Sequence, residues 1–81
     1  MPDFAERLVS LRQSKNVLQR NIVEDTGIAL RSLKYYEKGT NKPTSDVIVK
    51  LCHFFNISSD YLLGLSDEKR PLRSEEPAAN Q

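Results

Sequence analysis

The run SLKYYEKGTNKP, from Ser32 to Pro43, places Tyr35 and Tyr36 side by side among Lys34, Lys38 and Lys42, with Arg31 just before it. These side chains are donors, cations and aromatic faces rather than nucleophiles and bases. Arg31 can meet guanine O6 and N7 through two N–H groups at once, and Lys34 can reach guanine or a phosphate. Tyr35 can donate to phosphate or pack on a thymine methyl, and an outward Leu30 fits a thymine methyl better than water. Thr40, Asn41 and Lys42 follow in a loop, where donors can hold a phosphate strand and fix register without reading sequence.

Catalytic chemistry has little to work with. One cysteine, Cys52, and one histidine, His53, cannot supply a structural zinc site. Cys52 is expected as a small core residue and His53 as a solvent-facing one, with no nucleophile and base pair elsewhere. A domain of about 60 ordered residues buries only about 60% of its unfolded surface, which argues against a deep enzyme cleft. The expectation is a binding protein that needs no cofactor or metal.

Helices must position these groups. Asp3 and Glu6 have capping-box spacing, and Phe4, Leu8 and Leu11 repeat at i, i+4 and i+7, predicting a first helix from Phe4 to Lys15. Gln19 to Thr26 forms a short second helix with Ile22 and Val23 on one face, stopped by Gly27. A third helix over 29–37 turns Ile28, Leu33 and Tyr36 inward. Since neighbours on a helix diverge by about 100°, Tyr35 then faces out with Arg31 and Lys34. Thr44 is the expected cap of a fourth helix reaching Phe55, with Ile48, Leu51, Cys52 and Phe55 as its core stripe. ISSDYLLG predicts a fifth, capped by Ser58 and ended by Gly64, with Tyr61 and Leu62 inward.

From Ser66 onward the chain is charges, prolines and small residues, a composition unable to offset its ordering entropy. The expected organisation is a domain over 1–66 and a flexible charged tail over 67–81. Through Gly64 there are nine basic and seven acidic residues, but from Ala29 to Pro43 four basic residues stand against Glu37 alone. The near-neutral total of +1 hides a local positive segment. No apolar run approaches the ~20 residues that span a bilayer, the first turns lack a secretory h-region, and a lone cysteine permits no internal disulfide. A reducing, cytoplasmic setting is the default expectation.

Two short helices around a turn containing Gly27, the second with outward cations, form a helix-turn-helix pattern. In RLVSLRQSKNVLQ, YYEKGTNKP and ISSDYLLGLSD, the chain resembles the lambda repressor and Cro family of regulators, often called XRE-type, over roughly Phe4 to Leu65. The resemblance implies an all-α, five-helix domain that binds operator DNA as a symmetric dimer. It implies base contacts from Leu30, Arg31, Ser32, Lys34 and Tyr35, and a phosphate contact from Gln19. Lys38, Thr40, Asn41 and Lys42 complete the expected phosphate set. An ion pair between Arg12 and Glu37 is implied to hold the third helix on the first. Departures from the family pattern are Leu18, which cannot cap the second helix, Ala29 in place of a serine, and Val23 in place of an alanine.

Val47, Val49 and Phe54 lie outside the assigned core stripe, so they belong either to a wider buried face or to a dimer or partner surface. The functional expectation is a sequence-specific regulator, a repressor acting as a homodimer on a palindromic operator. Its rivals are an antitoxin or restriction-modification controller with the same DNA chemistry, and a module binding a regulatory protein through the surface near Phe54.

Overall fold

The computed structural model describes residues 3–72. Five helices follow one another: α1 Phe4–Ser14, α2 Gln19–Thr26, α3 Leu30–Lys38, α4 Ser45–Phe55 and α5 Ser59–Leu62. No strand occurs among the described residues, as the all-α expectation requires. α1 packs on α3 and α5, α2 on α3 and α4, and α4 on α5. Each helix contributes one aliphatic side chain with no exposed surface: Leu8, Ile22, Leu33, Leu51 and Leu62. The core is thus a meeting point of five amphipathic stripes, each too short to be stable alone.

The caps explain where the scaffold helices begin. Asp3 Oδ1 accepts from the Glu6 N–H at 3.0 Å while Glu6 Oε1 accepts from the Asp3 N–H at 3.1 Å, completing the capping box. Thr44 accepts from the Val47 N–H and Ser58 from the Tyr61 N–H. α1 ends one residue earlier than its periodicity suggests, because Asn16 turns left-handed at φ 55°. α3 is shifted by one residue, since Ala29 remains extended (ψ 142°) and serves as the N-cap. α5 closes at Leu62, with Leu63 as its cap and Gly64 one place further, at φ 82°.

Gly27 and Gly39, at φ 80° and 81°, end α2 and α3. A Cβ at Gly27 would meet nothing within 4 Å, so glycine there answers the left-handed backbone and not crowding. Leu8, Leu11, Ile22, Ile28, Leu33, Tyr36, Leu51, Cys52, Phe55, Tyr61 and Leu62 are buried as the periodicity predicts. Phe4 and Ile48 are half-buried at the rim, Phe4 meeting the Tyr36 ring edge-on at 6.3 Å. Burial pushes the Cys52 thiol pKa up, away from the reactive thiolate.

Sequence reasoning assigned Arg7 no role, yet it is only 5% exposed. Its guanidinium lies 3.9 Å from the Tyr61 ring centroid, donates to the Ser66 carbonyl and pairs with Asp67 Oδ1 at 2.6 Å. The Ser58 N–H reaches the Arg70 carbonyl at 2.8 Å. Residues 67–72, where the sequence suggests a tail, therefore run back along the body; residues 73–81 lie outside the described residues. Arg7→Ala should release this strap and speed tryptic cleavage after Lys69 about tenfold, because proteolysis tracks the open population. An unchanged rate would mean that the strap is held by other contacts.

Candidate nucleic-acid interface

The α3 register follows from its sequence. Leu33 and Tyr36 are buried and Glu37 is half-buried, which fixes the inner face. At about 100° per residue, Arg31, Lys34, Tyr35 and Lys38 then share the outer face, with Leu30 and Ser32 at its two edges. Arg31, Lys34 and Lys38 are exposed, Leu30 is 43% and Tyr35 38% exposed, and Ser32 is half-buried. Ser32 is the member of the expected base-reading set that projects least.

Beyond α3, Thr40, Asn41 and Lys42 are exposed in the connection to α4. Thr40 is already engaged: its N–H and its hydroxyl both donate to the Tyr35 carbonyl, at 3.1 and 3.2 Å. The bond closes the C-terminus of α3, so in this arrangement Thr40 shapes the loop and leaves Asn41 and Lys42 with outward donors. None of Arg31, Lys34, Lys38 and Lys42 pairs with a carboxylate among the described residues. The positive segment seen in the sequence is therefore an unneutralised surface.

Glu37, the one acid in this stretch, is taken up by Arg12 as the resemblance implies. Arg12 Nε donates to Oε2 at 2.6 Å and Nη2 to Oε1 at 3.1 Å, with side chains 18% and 8% exposed. Arg12 Nη1 also donates to the Val17 carbonyl, tying the α1–α2 connection to the pair. Gln19, expected on a phosphate, places its Nε2 3.0 Å from Glu37 Oε1. Sequence reasoning missed that bond, which joins residues 18 positions apart and has no local signature.

The N-termini of the two helix-turn-helix helices differ from the rest. Neither Leu18 nor Ala29 offers a side-chain acceptor to its helix. At α2 only half of a capping box exists, the Leu18 N–H donating to Asn21 Oδ1 at 2.9 Å. Asn21, three residues after Leu18, was the legible signal for it.

On the α4 surface, Val47 and Phe54 are half-buried against the core, Phe54 meeting Phe55 edge-on at 5.0 Å. Val49 is 55% exposed and is the open member of that trio. His53 faces solvent as anticipated, and no group of metal-ligating side chains occurs among the described residues. No described helix is long and apolar enough to cross a membrane.

A family model described as "Helix-turn-helix domain" matches residues 5–68. The chain is 35% identical over 68 residues to the HTH-type transcriptional regulator YobD of Bacillus subtilis (84% of this chain, 61% of the relative). It is 36% identical over 61 residues to the HTH-type transcriptional regulator ImmR of the same organism (75% and 48%). It is 38% identical over 69 residues to the cryptic phage CTXphi transcriptional repressor RstR of Vibrio cholerae (83% and 62%). The chain thus spans about half to three-fifths of these relatives' lengths.

Among solved structures, a transcriptional regulator from Listeria innocua superposes with a TM-score of 0.72 at 28% identity, covering 90% of this chain and 79% of that one. The P22 c2 repressor, crystallised with a synthetic operator, gives 0.72 at 21% identity over 78% of this chain and 96% of that one, a likeness of fold. With the turn at Gly27, the α3 register and the Arg12–Glu37 pair in place, the chain belongs to the helix-turn-helix domain family, whose members similar to it include HTH-type transcriptional regulators.

Proposed function

We propose that this chain is a sequence-specific transcriptional repressor that binds a palindromic operator as a homodimer, with α3 in the major groove of each half-site. The observation that carries the reading is the outer face of α3, where unpaired Arg31, Lys34 and Lys38 surround Tyr35 at a helix positioned by the Gly27 turn. Arg31 and Lys34 reach base edges; Leu30 and Tyr35 lie against thymine methyls or the sugar-phosphate wall; Ser32, at the edge, makes a marginal contact. Lys38, Asn41 and Lys42 hold phosphates, and Thr40 acts by shaping the loop. Half-sites should lie about 34 Å apart, one helical turn. The relative RstR, a transcriptional repressor, supports the direction of regulation. Val49, exposed on α4, is the candidate apolar contact of the dimer or of a regulatory protein partner.

Fluorescence-anisotropy titration of the protein's own promoter fragments against random duplex, at several salt concentrations, tests this reading. A steep salt slope with preference for one fragment supports it, and weak binding indifferent to sequence would defeat it. Lys42→Ala in the same assay should weaken all duplexes alike and flatten the slope of log affinity on log salt by about 1. If the slope stays as it was, Lys42 lies outside the interface.

A further inference from the structure

We infer that Thr26 is a positioning residue for base reading: its hydroxyl ties the end of α2 to the far side of the turn and so sets the angle at which α2 delivers α3 to the major groove. The inference rests on the DNA-binding reading above and deepens it. Thr26 is the last residue of α2 and is half-buried. Its hydroxyl donates to the Ile22 carbonyl at 2.6 Å and accepts from the Ile28 N–H at 3.1 Å. One oxygen therefore spans the bend at Gly27, with α2 on one side and the residue that re-enters the core on the other.

Two main-chain bonds flank this link without crossing the turn. The Gly27 N–H reaches back to the Val23 carbonyl at 3.0 Å and closes α2, while the Leu33 N–H meets the Ala29 carbonyl at 2.9 Å and opens α3. Ala29 offers α3 no side-chain acceptor. Ile28 is only 5% exposed, so water would poorly replace a lost partner of its N–H. Apolar packing of Ile28 and Leu33 keeps α3 on the body, but such packing has no direction of its own. A hydroxyl that donates and accepts at once does.

The first helix of a helix-turn-helix crosses the DNA backbone and the second enters the groove. Phosphate contacts position the protein and base contacts specify the site. The angle between α2 and α3 converts the one into the other. A small rotation of α3 leaves the attraction to phosphate intact and takes Arg31 off its guanine. Loss of the Thr26 hydroxyl should therefore appear in preference and leave bulk affinity alone.

The test compares Thr26→Val, which keeps the shape and removes the hydroxyl, with Thr26→Ser, which keeps the hydroxyl and removes the methyl. Anisotropy is read on the preferred duplex and on random duplex, at a temperature where circular dichroism shows all three proteins folded. Thr26→Val should bind the preferred duplex about tenfold more weakly and stay within about twofold of wild type on random duplex. Thr26→Ser should keep the wild-type ratio between the two. A role confined to stability would lower the melting temperature of Thr26→Val and leave that ratio unchanged. This result, or a serine variant that behaves as the valine one does, would overturn the proposal.

A second measurement needs no variant. In 15N-labelled wild-type protein the Ile28 amide should exchange with deuterated solvent about a hundredfold more slowly than that of the exposed loop residue Asn41, and equal rates would overturn the proposal. Wild-type protein that prefers no duplex over another defeats the sequence-reading function and this inference together. Clear preference in the wild type with an unchanged ratio in Thr26→Val defeats the inference alone.

Discussion

Arg31→Ala should bind the preferred duplex about 1–3 kcal/mol more weakly, roughly 5- to 150-fold, and tolerate any base pair at one position of each half-site. The argument is geometric. Arg31 lies near the centre of the exposed arc of α3, opposite Leu33 and Tyr36, and no described carboxylate competes for its guanidinium. A planar fork can satisfy both guanine acceptors at once, which an ammonium cannot, so Arg31→Lys should restore affinity for random duplex without restoring preference. Leu30 and Ser32 at the edges of the arc should matter less than Arg31 and Lys34. The measurement is anisotropy on a panel of duplexes with single-base substitutions. Equal losses on every duplex would reassign Arg31 to a phosphate.

The outer face of α3 was readable in advance because it depends on one periodicity and one stop signal. Leu33 and Tyr36, three apart, fix the inner face, and Gly27 and Gly39 bound the segment. The same local grammar located the caps Asp3, Thr44 and Ser58. It did not locate what depends on distant partners. Gln19 against Glu37 and Arg7 against Asp67 join residues 18 and 60 positions apart, and no local pattern specifies such a pair. Arg7 did leave a trace: it stands at i+3 from Phe4 and four before Leu11, on the buried stripe of α1. A cation there asks for an anion and an aromatic face, and the strap and Tyr61 supply them.

The strap bears on where the folded unit ends. Composition after Ser66 predicts a tail, since no side chain but Leu72 can bury much apolar surface. The contacts that hold residues 67–72 are of another kind, a charge pair at Arg7 and a main-chain bond from Ser58. Hydropathy does not register either. The α4 surface shows the opposite limit: Val47 and Phe54 look unassigned in a helical projection, but both lie on the flank of α4 that packs against the core. Val49, the same side chain on the other flank, stays open.

Arg12→Ala should have the largest effect on folding, a loss of ~3–5 kcal/mol in urea denaturation. The Glu37 side chain is 8% exposed, and without Arg12 its carboxylate would keep only the Gln19 amide as a partner. The charge would be nearly desolvated and uncompensated, and the α1–α2 connection would lose its bond at Val17. A domain of this size has a stability on the order of 5 kcal/mol, so the variant should be partly unfolded at 37 °C. Removing both charges, as in Arg12→Met with Glu37→Leu, should cost less than Arg12→Ala, because no buried charge is left unpaired, although the Val17 carbonyl and the Gln19 amide lose these partners. That double variant separates loss of the pair from burial of a lone charge: most of the folding stability should recover although the pair is gone. A single-variant loss below ~1 kcal/mol would place this pair among ordinary surface ion pairs and leave α3 held to α1 by apolar packing such as Phe4 on Tyr36.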